Sequence, residues 1–159
     1  MNLTPAELTR ILNQPDYTLA DGSLLDATRP PIDVAASKPG KASRWFSERH
    51  FQEEVIAQAR LRAILQPGYG LLVAIPNGQV RAGQVVEPGL TAGMPDLVLL
   101  IPRGGHGALF LELKVGRNKP SRVQLDMIRR LRAEGYRCEI IWDSLEAVFE
   151  IIGDYLGEG

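Results

Sequence analysis

The sequence predicts an α/β fold in which helices flank a mixed β-sheet. Two observations lead to this prediction: stretches with helical periodicity alternate with short apolar runs, and Gly or Pro residues separate them. The resulting order is helix, three strands, helix, strand, helix. A chain of 159 residues with 45% hydrophobic and 23% charged residues has the size and composition of one globular domain.

The first part of the domain is predicted from one periodic stretch and three apolar runs. Residues 48–65 contain no Pro or Gly, and Phe51, Val55 and Ala59 recur at helical spacing, so we expect an amphipathic helix. Three strands should follow, over residues 70–75, 96–101 and 108–115. The Gly-rich turn at 103–107 should join the last two strands as a hairpin.

The second part contains a helix, a strand and a last helix. Ser121 and Gln124 have the spacing of a capping box, which begins a helix predicted over residues 121–134. A strand over 138–142 and an amphipathic helix over 143–156 complete the order.

The composition changes at about residue 45. Residues 1–45 contain a short predicted helix that begins at Thr4, followed by an irregular stretch with several prolines. The regular pattern occupies residues 46–159, so we predict an N-terminal arm and one folded domain. The arm contains too many large apolar side chains for a solvated tail. We expect it to pack in a homodimer interface; the alternative is an arm folded back on its own core.

The formal net charge of −1 gives no general reason to expect a nucleic-acid partner. The charges are unevenly distributed, however, because residues 114–137 contain eight basic and two acidic side chains, a local net charge of +6. This block is a candidate phosphate-binding surface. The alternative is a solvated helix surface with an excess of Lys and Arg.

Several classes of protein are disfavoured by what the chain lacks. With one cysteine, Cys138, no internal disulfide can form, and two histidines cannot complete a zinc site with it unaided. No apolar run approaches the roughly 20 residues that a membrane span needs, and the first residues lack the features of a secretory signal. We therefore expect a cytoplasmic protein with no membrane partner.

Three charged residues in the predicted hairpin carry the candidate chemistry. Asp96 begins one strand, and Glu112 and Lys114 lie on one face of the next because side chains alternate along a strand. Two carboxylates and an ammonium group should therefore converge, and burial there requires pairing or a bound cation. Mg²⁺ prefers carboxylate ligands, and a nearby lysine can hold an attacking water. The alternative is an ordinary ion pair at the edge of a hairpin.

Four short segments resemble one nuclease family. Pro95-Asp96 followed by Glu112-Leu113-Lys114 resembles the PD-(D/E)xK nuclease superfamily, and the wider pattern resembles its virus-type replication-repair nuclease (VRR-NUC) branch. The matching segments are Val73 to Gly78, Gly93 to Leu97, Glu112 to Lys114, and Ser121 with Gln124. The resemblance covers about residues 48–156 and implies a PD-(D/E)xK nuclease-like core.

The resemblance implies a Mg²⁺-dependent DNA endonuclease in which Mn²⁺ should also function. It implies that Asp96, Glu112 and the backbone carbonyl of Leu113 bind the metal. It further implies that Lys114 positions the water nucleophile. Each of these residues occupies the matching position of the family motif in this sequence.

Two further residues near the metal are implied by the resemblance. The family has a glutamate on its first helix, which would bind metal through water or a second ion. The spacing of Glu54 from Gln58 resembles the family's E-x-x-x-Q pattern, and Glu53 is the alternative. Gln124 lies near the metal site in the family. Its alternative role is as capping-box partner of Ser121, and the two roles could compete for one side chain.

The basic block would then follow the phosphate backbone of DNA through Arg117, Lys119 and Arg122. Small stand-alone members that the chain resembles act as homodimers on branched DNA, Holliday junctions included, and we expect the same here. Two alternatives stay open at this point. One is a non-catalytic DNA-binding or phage assembly module on the same fold, and the other is a restriction-type, sequence-specific endonuclease.

Overall fold

The computed structural model describes residues 47–76 and 89–158, and the structural statements below concern these residues. They form an α/β fold with the helix and strand order that the sequence predicts, plus one 3₁₀ turn. The elements are α1 Glu48–Arg62, the 3₁₀ turn Pro67–Leu71, β1 Leu72–Ala74, β2 Leu97–Leu99, β3 Leu109–Lys114, α2 Arg122–Ala133, β4 Arg137–Trp142 and α3 Leu145–Leu156. The predicted arm and its helix at Thr4 lie outside the described residues.

The four strands form one mixed sheet in the order β1-β2-β3-β4. β1 pairs antiparallel with β2, and β2 pairs antiparallel with β3. The predicted hairpin between β2 and β3 is confirmed, because Arg103 and His106 form a bridge and both glycines between them have positive φ. β3 and β4 are parallel, and α2 supplies the crossover that parallel strands require.

The helices form two layers, one on each face of the sheet. The face covered by α1 and α3 buries Phe51, Val55, Ala59, Val148, Ile152 and Tyr155 against alternate strand residues. The other face is covered by α2, and Cys138 lies there beside Ile128. Burial raises the pKa of the Cys138 thiol to about 12. β3 is therefore buried on both faces, and polar side chains that point from it lie out of water.

The segment between α1 and β1 differs from the sequence prediction. α1 ends at Arg62, three residues before the predicted end at Leu65, and β1 begins at Leu72 instead of Gly70. A 3₁₀ turn occupies the difference, with Pro67 in its first position. Tyr69 in this turn is buried and donates its hydroxyl to Glu158, 2.9 Å away, a tertiary contact that local periodicity cannot show. No helix in the described part of the chain is long and apolar enough to span a membrane.

Candidate active site

The predicted cluster of charged residues meets where β3 ends. Asp96 directly precedes β2, and its Oδ2 accepts the backbone N–H of Leu113 over 2.8 Å. Leu113 lies between Glu112 and Lys114, so this hydrogen bond brings the Asp96 carboxylate to the residue that separates the other two. The antiparallel pairing of β2 with β3 produces this approach.

Glu112 and Lys114 form a buried ion pair. Glu112 Oε1 lies 2.6 Å from Lys114 Nζ, and the two side chains are 0% and 4% exposed. Glu112 Oε2 is also buried, and within the described residues it has no hydrogen-bond partner. A buried carboxylate oxygen left in this way carries a desolvation cost that a bound cation would remove.

Burial and the nearby Asp96 charge raise the pKa of Glu112 to about 8, and the Lys114 ammonium only partly opposes them. For Lys114, burial disfavours the charged form, but Glu112, Glu48 and Asp96 outweigh it and raise the pKa above its ordinary value. The two groups titrate as a pair. The site therefore favours a proton or another cation on the Glu112 carboxylate.

The pKa of Glu112 predicts a pH-dependent stability. Because the folded-state pKa is about 8 and the ordinary value is 4.5, the stabilisation is fully present below about pH 4.5 and is lost as pH rises through about 8. In EDTA, the Tm of the wild type relative to Glu112→Gln should therefore fall between about pH 5 and pH 9, by the equivalent of a few kcal/mol. Thermal melts of both proteins across this range test it, and a constant or rising difference contradicts it.

Gln124 completes the capping box and also contacts Glu112, while its role near a metal stays a prediction. Its Oε1 accepts the backbone N–H of Ser121 over 2.8 Å, and the Ser121 hydroxyl accepts the backbone N–H of Gln124 over 3.2 Å, which completes the capping box. Its Nε2 donates to Glu112 Oε1. The two ends of one amide thus serve the helix cap and the carboxylate, and the cap fixes which end faces Glu112.

Glu48 is a residue at the site that the sequence prediction missed. It lies in the first turn of α1, and its Oε1 is 3.3 Å from Lys114 Nζ. A signal was present in the sequence: Glu48 precedes Phe51, Val55 and Ala59 by three, seven and eleven residues, so it continues their buried stripe. A carboxylate on that stripe needs a buried partner, and Lys114 is that partner.

Glu54 and Glu53, the two candidates from the sequence, have partners on α1 other than Lys114. Glu54 Oε1 accepts from Gln58 Nε2 over 3.2 Å, so the expected spacing does bring these side chains together. Glu53 is exposed and forms an ion pair with Arg49, with 3.0 Å between Oε1 and Nε. The metal role of Glu54 stays a prediction, while Glu48 is the helix glutamate in contact with Lys114.

The basic block divides into two groups. Arg117 and Lys119 are exposed in the loop after β3, and Arg122 is exposed at the start of α2. Arg129 instead is buried and pairs with Asp126, 3.3 Å away. Arg117, Lys119 and Arg122 are the exposed members that lie closest in sequence to Lys114, so they remain the candidates for phosphate contact.

The donor set fits a hard divalent cation such as Mg²⁺. Asp96 and Glu112 supply carboxylate oxygens, and the residue between Glu112 and Lys114 supplies a backbone carbonyl. The buried Glu112 Oε2 without a partner is the observation that favours an ion here. No group of three or more His, Cys, Asp or Glu side chains is arranged to hold a metal in residues 47–76 and 89–158. Water and substrate oxygens would therefore complete the coordination, as is usual for Mg²⁺.

Gly93 sets the distance between the loop that carries Asp96 and the helix that carries Gln124. Its φ is +82°, and a Cβ at this position would lie 2.5 Å from the backbone oxygen of Val123. Gly93→Ala should therefore strain the loop and also push it away from α2, at a cost of about 1–3 kcal/mol. We expect a lower Tm and a large loss of DNA cleavage.

Gly105→Ala is the matched control for this substitution. Gly105 has a φ of +83° but nothing within 4 Å of the added Cβ, so it carries the backbone strain without the clash. Tm and cleavage rate measured on both variants separate the two effects. Equal losses in the two variants would contradict a positioning role for Gly93.

These features define a class of protein. A mixed four-stranded sheet between helices, with Asp96, Glu112 and Lys114 at the end of the central hairpin, is the α/β fold of PD-(D/E)xK nucleases. The chain belongs to the VRR-NUC family, because the family model, the VRR-NUC domain, matches residues 53–142, more than half of the sequence. Membership in this family implies a nuclease that acts on DNA.

A solved structure supports the same fold. A chain described as a VRR_NUC domain protein is 25% identical to this one and superimposes with a TM-score of 0.59. The match covers 72% of this chain and 91% of that chain. No curated protein matches this chain significantly. Glu48 lies outside the range that the family model matches, whereas Glu53 and Glu54 lie inside it.

Proposed function

We propose that this protein is a Mg²⁺-dependent endonuclease that hydrolyses phosphodiester bonds in branched DNA such as Holliday junctions. The observation that carries the metal dependence is the buried Glu112 Oε2, which lacks a partner among the described residues although Asp96 and Lys114 are close by. A site that only binds DNA has no use for a carboxylate whose burial is this costly.

In this proposal the residues of the site have distinct roles in metal binding and in hydrolysis. Asp96, Glu112 and the Leu113 carbonyl would hold the ion, which when bound would polarise the phosphodiester and activate water. Gln124 holds Glu112 Oε1 and so leaves Oε2 for the ion. Lys114 Nζ, buried between carboxylates, can donate to the attacking water or to a phosphate oxygen as charge develops.

A symmetry argument supports the proposed substrate and assembly. A monomer carries one such site, and a four-way junction has two strands to cut at related positions. A homodimer with two-fold symmetry would present two sites with the matching relation. Arg117, Lys119 and Arg122 would contact the phosphate backbone.

A cleavage panel tests this proposal. The full chain is offered linear duplex, flap, splayed-arm and four-way junction DNA, each with Mg²⁺, Mn²⁺ or EDTA. We expect cleavage with either metal, none in EDTA, and a preference for the junction. Undiminished cleavage in EDTA would contradict the metal role, and a preference for particular sequences in linear duplex would favour a restriction-type enzyme. Light scattering of the full chain tests the dimer, which a monomeric mass would contradict.

A further inference from the structure

The loop that follows Lys114 is fastened at two backbone positions. It runs from Gly116 to Pro120, connects β3 to the cap of α2, and is named here the basic loop. The Gly116 N–H donates to Asp143 Oδ2 over 2.8 Å, and the Asn118 carbonyl accepts from Trp142 Nε1 over 2.9 Å. A loop held at both points has few alternative conformations.

The side chain of Asn118 fastens the loop a third time. Its Nδ2 lies 3.2 Å from Glu48 Oε1, the same oxygen that lies 3.3 Å from Lys114 Nζ. One carboxylate oxygen therefore contacts both the loop and the buried lysine. The position of the loop is thus fixed relative to the site where cleavage is proposed to occur.

The residues on either side of Asn118 remain available to a partner. Arg117 and Lys119 are exposed, and neither has a hydrogen bond or an ion pair within residues 47–76 and 89–158. Arg49, by contrast, is exposed and forms an ion pair with Glu53. Two cations that have no partner in the described part of the chain, beside a candidate nuclease site, suit the phosphates of a DNA strand.

The two backbone anchors lie next to the lysine in the sheet. Trp142 is buried and pairs in register with Lys114 across β3 and β4. Asp143 follows it, donates its N–H to the Lys114 carbonyl over 3.0 Å, and has a φ of +50°. Residues other than Gly seldom adopt this conformation, although Asp does so more readily than most. The strand end is therefore shaped to hold the loop.

We propose that Asp143, Trp142 and Asn118 are positioning residues that hold the basic loop in a preformed shape, in which Arg117 and Lys119 meet the DNA phosphates. This inference rests on the proposed function, because it takes DNA as the ligand of this face. A preformed loop binds more tightly than a loose one because less freedom is lost on binding. Affinity should thus depend on the anchors as well as on the cations.

Substitutions at Asp143 separate the loss of its hydrogen bond to the Gly116 N–H from the loss of its negative charge. Asp143→Gly accepts the positive φ and removes the acceptor for Gly116, whereas Asp143→Asn keeps an acceptor oxygen and the same backbone preference. Trp142→Phe removes the indole donor from a second anchor and, because Trp142 is buried, also leaves a small cavity whose cost the Tm reports. The Kd of the full chain for a labelled four-way junction is measured in EDTA, at several salt concentrations, with Tm as the check on folding.

We expect Asp143→Gly and Trp142→Phe to raise the Kd about 3- to 10-fold, and Asp143→Asn to bind like the wild type. Arg117→Gln with Lys119→Gln should raise the Kd further and lower the salt slope by roughly 2. In that doubly substituted background, Asp143→Gly should have no further effect, because the anchor acts through the two cations. A merely structural role would leave the effect of Asp143→Gly unchanged there.

Two results would overturn the inference. One is a wild-type Kd and Tm for Asp143→Gly; the other is an undiminished effect of Asp143→Gly after both cations are removed. The cleavage panel tests the proposed function independently of this inference. A wild-type protein that binds the junction with the expected slope but never cleaves it contradicts the proposed function alone. A protein that cleaves DNA while Asp143→Gly binds normally contradicts the inference alone.

Discussion

Replacing Glu112 with Gln should abolish DNA cleavage and leave the protein folded. Gln has the same size and can still accept from Gln124 Nε2, but it lacks the charge that would hold a divalent cation. Asp96→Asn should act alike, because its carbonyl oxygen can still accept the Leu113 N–H. We expect initial rates with Mg²⁺ to fall by about 10³-fold or more in both variants.

Glu150→Gln is the control for the loss of one carboxylate. Glu150 is exposed on α3 and has no part in the proposed site, so its variant should cleave at the wild-type rate. Circular dichroism and thermal melts of all three variants exclude unfolding as the cause. A near wild-type rate for Glu112→Gln or Asp96→Asn would remove these carboxylates from the mechanism.

Replacing Lys114 with Ala should reduce the rate of the chemical step much more than the affinity for DNA. The Nζ of Lys114 is held by Glu112 and Glu48 in a buried position, from which it can stabilise charge in the transition state. Loss of such a group costs about 10²–10³ in rate. Single-turnover cleavage at saturating protein, together with Kd, separates the two effects.

Lys119→Ala provides the contrast, because Lys119 is an exposed cation without a pair in the described residues. It should weaken binding and leave the single-turnover rate at saturation nearly unchanged. Lys114→Ala also leaves Glu112 without its cation, so its Tm is measured alongside. A normal single-turnover rate with weakened binding in Lys114→Ala would make Lys114 a phosphate anchor instead.

Much of the fold could be predicted because local patterns and tertiary packing agree. The capping box of Ser121 and Gln124 and the glycines of the β2–β3 turn specify their elements from neighbouring residues alone. The 3₁₀ turn could not be predicted in this way, since Tyr69 within it packs in the core and contacts Glu158, which is 89 residues away in sequence. Long-range contacts override local propensity at such points.

The candidate site was predictable where strand alternation fixes direction. Glu112 and Lys114 had to share a face, and pairing with β2 brought Asp96 to them. Glu48 was not predicted, because the E-x-x-x-Q spacing points to Glu54 whereas the phase of the buried stripe points to Glu48. That Gln124 contacts Ser121 and Glu112 at the same time could not be foreseen, because this depends on how far α2 lies from β3.

The buried thiol of Cys138 can be used to detect transient opening of the protein core. A thiol with a pKa of about 12 in the core beneath α2 is almost entirely protonated and shielded, so alkylating reagents reach it only when that layer separates. Because the chain has one cysteine, every labelled molecule records such an event at one known position. The labelling rate therefore reports how often the core around Cys138, which lies between the sheet and α2, opens to solvent.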